Sequence, residues 1–114
     1  MTEGDVVIVR IPQSDGAIKN RPAVILREMK PFDDFLLCGV STQLYHEVKD
    51  LDEIIDVDDD DFAASGLVSK SLIRVGFLTT APPHSIMGKI GFISTERHKR
   101  LLENLARYLL KNIE

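Results

Sequence analysis

Short apolar runs rich in β-branched residues, each closed by turn-forming residues, occupy most of the chain before one helical period ends it. Val6-Val7-Ile8-Val9, Ala23-Val24-Ile25-Leu26 and Phe35-Leu36-Leu37-Cys38-Gly39-Val40 have the length and composition of strands. Strands are expected at about 5–11, 21–27, 35–42, 52–57, 70–79 and 87–93. The period then changes. Ser94 or Thr95 suits a helix cap, and Glu96 suits the positive end of the helix dipole. Leu101, Leu102, Leu105, Ala106, Leu109, Leu110 and Ile113 recur at helical spacing over about four turns. Strands first and one helix last predict a mainly β fold with α, a small curved antiparallel sheet packed by a C-terminal helix. A length of 114 residues suits one domain, 1–114.

Within this pattern Asn20-Arg21-Pro22 stands directly before an apolar run. Pro22 has a fixed φ and no N–H, and it biases Arg21 toward extended geometry. An obligate cation is therefore expected at a rigid strand mouth. Downstream, the third apolar run ends in the hydroxyl pair Ser41-Thr42 and then Gln43.

The net charge of −4 argues at first against a nucleic-acid partner. Eight of the 18 acids, however, lie between Asp50 and Asp61, so the other 10 face 14 Lys and Arg and leave +4 on the remainder. One acidic edge and a mildly basic body are expected, and a basic groove attracts phosphate. Asp56, Asp58 and Asp60 share the first spacings of a calcium-binding EF-hand loop, but Asp61 replaces its glycine and Leu67 its terminal glutamate. The stretch reads instead as a solvated loop or a surface for a basic partner, with Asp61 capping a short turn that Gly66 ends. No metal site and no cofactor are expected; the three histidines share no ligand spacing. The single Cys38 reads as a core hydrophobe in a chain suited to a reducing cytoplasm, and no apolar run is long enough for a membrane.

GDVVIVRIP, a polar loop, RPAVIL and then VSTQ, in that order, resemble the MazF/PemK toxin family. Members are endoribonucleases of toxin–antitoxin modules with an SH3-like barrel and a terminal helix. The likeness is strongest over 4–26, 35–43 and the Lys89–Ser94 segment. It implies a cytoplasmic, sequence-selective mRNA interferase that cleaves single-stranded RNA without metal and leaves a 2′,3′-cyclic phosphate. It also implies a homodimer and a cognate antitoxin with an acidic segment. The same fold serves toxins that bind DNA gyrase and cut nothing, and a catalytically decayed interaction module is a further alternative.

Metal-free RNA cleavage needs a 2′-hydroxyl to lose a proton, a 5′-oxygen to gain one, and the growing phosphoryl charge to be stabilised. Arg21 suits the last role, because its planar fork matches two phosphoryl oxygens. The resemblance adds acid–base work to the same arginine. The family's second catalytic group, a threonine at the end of the third strand, aligns with Ser41, and Thr42 is the alternative. Only one of the two can face Arg21, since neighbouring strand residues point to opposite sides. Some PemK-type members use an arginine and an aspartate after the fifth strand; this chain has Thr79 and Pro82 near those places, so the arginine-plus-hydroxyl pattern is expected. Arg74 is expected to be structural or at the rim. Substrate contacts are expected from Gln13, Gly16, Lys19 and Asn20 in the first polar loop, from Gln43, and from His84 after Pro82-Pro83. His46 and His98 carry less promise, and His98 reads as a surface residue.

Overall fold

The structure, a computed structural model, describes residues 1–12 and 15–113. Six strands pair throughout in antiparallel fashion: β1 (Asp5–Pro12), β2 (Ile18–Met29), β3 (Asp34–Ser41), β4 (Glu53–Ile55), β5 (Ser71–Ala81) and β6 (Gly88–Phe92). Their order in the sheet is β4-β5-β3-β2-β1-β6. Among the described residues there are two α-helices, α1 (Phe62–Ser65) and α2 (Thr95–Leu110). This is the expected curled antiparallel sheet with a C-terminal helix.

The apolar runs are continuous because both faces of the sheet are buried. Val6, Val24, Leu26, Cys38 and Val40 point to one face, where Leu101 and Leu105 of α2 pack on them. Their neighbours Val7, Val9, Ala23, Ile25 and Leu37 point to the other, where they form a second cluster with Phe35 of β3 and with Ile86. The short α1 follows β4, at one edge of the sheet, and packs on β6, at the other. Its backbone lies so close to β6 that a Cβ at Gly91 would strike the carbonyl of Ala64, and one at Gly66 would strike that of Ile90. Gly66 also takes the left-handed conformation that ends α1, with φ of 75°.

Ser94 caps α2, its hydroxyl accepting from the Arg97 amide at 3.1 Å. Only the first half of the expected apolar stripe is covered. Leu109, Leu110 and Ile113 run beyond the sheet and are exposed.

Three expectations change. Strand β2 is longer at both ends than 21–27, because its hairpin with β1 continues through Asn20–Arg10, Lys19–Ile11 and Ile18–Pro12. Arg21, paired with Val9, therefore lies inside β2 instead of at its mouth. The acidic stretch is only partly solvated. Buried Arg97 gathers Asp61 (2.8 Å), Glu53 (2.9 Å) and Asp59 (2.9 Å), so Asp61 is spent on Arg97 and the Ser94 amide and does not cap α1 with its side chain. His98 is half-buried, its Nε2 2.8 Å from the Leu26 carbonyl oxygen, and ties α2 to β2 instead of facing solvent.

Candidate functional site

The β2–β3 ladder stops at Ala23–Gly39. The next residue of β2 is Pro22, which has no N–H to donate, and from there the two strands part. Continuing the same register by two residues sets Ser41 opposite Arg21, so both side chains belong to one face of the parted strands. Into that gap opens a cavity of about 360 Å³ lined by Pro12, Arg21, Gly39, Val40, Ser41, Gln43, His46, Arg74 and Phe77.

A bulge in β5 completes the wall. Cys38 pairs with Leu78, but the next residue, Gly39, pairs with Arg74, which leaves Val75, Gly76 and Phe77 looped out of the ladder. Such bulges bend a strand and redirect its side chains. Here Phe77 is laid over Gly39 so closely that a Cβ at 39 would fall 2.7 Å from its ring. The guanidinium of Arg74 sits 5.2 Å from the centre of that ring, a cation–π contact that braces it beside the cavity. The Val75 amide, displaced from the ladder, donates to Oδ1 of buried Asp52 at 2.9 Å, and Oδ2 of Asp52 accepts from the Val48 amide at the same distance. One acid of the charged stretch thus holds the bulge that shapes the site.

Ser41 Oγ accepts from the Gln43 amide at 3.0 Å, which fixes the hydroxyl oxygen and leaves its hydrogen to be donated. Thr42 is exposed and does not line the cavity. Of the expected substrate contacts, Gln43 joins Arg21 and Ser41 in the lining. Lys19 and Asn20 are exposed on β2 just before Arg21, and Gly16 lies in the turn before it with φ of 86°; none of the three lines the cavity. His84 is exposed in the 3₁₀ turn Pro83–Ser85, also outside the lining. Gln13 lies outside the described residues.

Six lining residues, Pro12, Gly39, Val40, His46, Arg74 and Phe77, were not among the expected contacts, and three of them bring a cation or an aromatic ring. Arg74, read as structural or at the rim, is both a lining residue and a braced one, and Phe77 and His46 join it. A signal for Phe77 existed: a glycine inside an apolar strand marks a place where something approaches the backbone closely. Nothing comparable marks His46, which arrives through the 3₁₀ turn Leu44–His46 after β3.

Beyond Phe77 a larger cavity of about 510 Å³ opens between Val9, Ala23, Leu37, Leu78, Thr79 and Thr80, mostly apolar, and shares Pro12, Gly39 and Phe77 with the first. Cys38 at its base is fully buried, and that burial, with the nearby Asp52 carboxylate, pushes its thiol up to about 12. It is inert, as a core cysteine should be. Among the described residues no three His, Cys, Asp or Glu side chains are grouped so as to hold a metal ion. Nor is any described helix long and apolar enough to cross a membrane.

The curled sheet and the terminal helix define a MazF-like fold. Among solved structures, the Mycobacterium tuberculosis toxin MazF-mt6 is similar to this chain, with a TM-score of 0.68 and 17% sequence identity over 92% of this chain and 95% of that one. No family model and no curated protein matches the sequence. The likeness is one of fold.

Proposed function

We propose that this protein is a metal-independent endoribonuclease acting in the cytoplasm on single-stranded RNA, the toxin of a toxin–antitoxin pair. The observation that carries this reading is the cavity lining: two guanidiniums, Arg21 and Arg74, and the Ser41 hydroxyl, with no carboxylate among the described lining residues. Such a surface attracts a phosphodiester and stabilises the charge that grows on it as the 2′-oxygen attacks. Arg21 clamps the phosphoryl oxygens and Ser41 donates to one of them. Gln43 contributes an amide at the lip, while Lys19 and Asn20 steer the strand toward it. The products are a 2′,3′-cyclic phosphate and a free 5′-hydroxyl. A homodimer and an antitoxin with an acidic segment, which would cover a cationic groove, belong to the same reading.

Incubation of a defined oligoribonucleotide with pure protein in EDTA tests it. The expected result is cleavage at a defined sequence with cyclic-phosphate ends, equal in EDTA and in magnesium, and absent for Arg21→Ala. Activity that EDTA abolishes and one divalent ion restores would overturn it.

The exposed Leu109, Leu110 and Ile113 at the end of α2 favour a second reading, a toxin that binds a protein such as DNA gyrase and cuts nothing. Intact RNA together with gyrase binding that Leu110→Asp abolishes would favour that reading over the first.

A further inference from the structure

RNA cleavage by a 2′-hydroxyl leaves one role that the two arginines and the serine do not fill. The departing 5′-oxygen needs a proton as its bond to phosphorus breaks. A guanidinium is a poor proton donor, so the acid–base work that the resemblance gives Arg21 is assigned here to another group of the lining. Ser41 offers a hydroxyl, a hydrogen-bond donor but a weak acid, and Gln43 has no acidic proton at all. Among the described lining residues His46 alone carries an imidazole, the side-chain type suited to proton transfer.

Resting on the endoribonuclease reading, we infer that His46 is the general acid that protonates the 5′-oxygen leaving group. Its position is built by backbone hydrogen bonds. The turn after β3 is closed by Leu44 N–H to the Thr42 carbonyl, His46 N–H to that of Gln43 and Glu47 N–H to that of Leu44, each at 3.1 Å. The Tyr45 ring meets the imidazole edge-on, with centroids 4.3 Å apart. His46 is thereby carried to the same cavity as Ser41, on the strand end that Ser41 terminates. Among the described residues the charged groups lining that cavity are Arg21 from β2 and Arg74 from β5; Glu47, the next residue along the chain, is engaged by Lys49 at 3.0 Å. The two guanidiniums hold the phosphate and the imidazole serves the leaving side.

In the step itself the 2′-oxygen forms its bond to phosphorus and loses its proton to water in the open cavity. The P–O5′ bond breaks with its electron pair on O5′. The imidazolium passes its proton to that oxygen and takes another from water afterwards, so no net proton is gained or lost.

A leaving group that needs no proton separates this role from binding. Two versions of one cleavable oligoribonucleotide are compared, the ordinary one and one with sulfur replacing the bridging 5′-oxygen, which departs as a thiolate. His46→Gln should slow cleavage of the ordinary substrate about 10²–10⁴-fold and cleave the sulfur substrate at nearly the wild-type rate. Arg21→Ala should be slow on both. An equal loss on both substrates for His46→Gln, or no loss on the ordinary one, would overturn the assignment. Wild-type protein that cleaves neither substrate would overturn it together with the nuclease reading.

Discussion

Two arginines divide this molecule. Arg97, buried on α2, is surrounded by Asp61, Glu53 and Asp59, and Glu53 also takes Arg100 at 2.9 Å. Arg21, half-buried on β2, faces a cavity shared with a second arginine and lined by no carboxylate among the described residues. The same side chain is buried among carboxylates in one place and lines a cavity in the other. What distinguishes them is the company each keeps, and only the second arrangement suits a phosphate.

The sharpest way to break this comparison is through stability. Arg97→Met should destabilise the protein by about 3–5 kcal/mol in urea unfolding, because it strands buried carboxylate charge. Adding Asp61→Asn should recover part of that loss. The same node sets an acid limit. The Asp56 amide, with Arg97, holds the Asp59 carboxyl below its ordinary range. At Asp61 burial pushes the other way, but hydrogen bonds from Arg97 and the Ser94 amide win and hold it low as well. Carboxyls depressed in the folded state contribute their full stability above the unfolded value of about 3.9 and lose it as pH falls through the folded values. Stability should therefore drop below about pH 4, and Arg97→Met should flatten that limb.

Next in size comes the hydroxyl. Ser41→Ala should slow cleavage about 10²-fold, as the loss of one oxyanion-type donor does elsewhere. Ser41→Thr should keep or raise activity, and Thr42→Ala should leave the rate near wild type. A damaging Thr42→Ala beside a harmless Ser41→Ala would mean that the register argument assigns the wrong residue. The smallest effect belongs to the acidic edge. Asp58 and Asp60 are exposed, so the double Asn variant should raise RNA association on the order of twofold at low salt. The gain should vanish as salt rises, because screening shortens to about 8 Å at physiological ionic strength. Asp59 and Asp61 must be left intact in that test, since they hold Arg97.

The uneven legibility of the sequence has the same division. The strands and α2 were readable because each run carries its period locally: Val6 to Val9 and Ala23 to Leu26 alternate between two buried faces, and Ser94 caps the terminal helix. Arg21 and Ser41 were readable because they flank such runs. The ends of β2 were not, since pairing of Ile18 to Asn20 depends on β1 as partner. Asp52, Asp59 and Asp61 look in sequence like any solvated acids. Their partners, the Val75 amide and Arg97, lie 23 or more residues away and are brought in only by the fold. The Arg74–Phe77 wall depends on a bulge, a three-dimensional misfit between β3 and β5 that no local period announces.

One measurement reaches the central claim most directly: the single-turnover cleavage rate of Arg21→Lys on a defined oligoribonucleotide in EDTA, with urea unfolding of the same sample. The account predicts a rate at least about 10²-fold below wild type at an unchanged unfolding midpoint, since a point charge keeps the attraction but loses the two-oxygen fork. An active Arg21→Lys enzyme would show that Arg21 merely attracts RNA, and the catalytic centre would have to be sought elsewhere in the molecule.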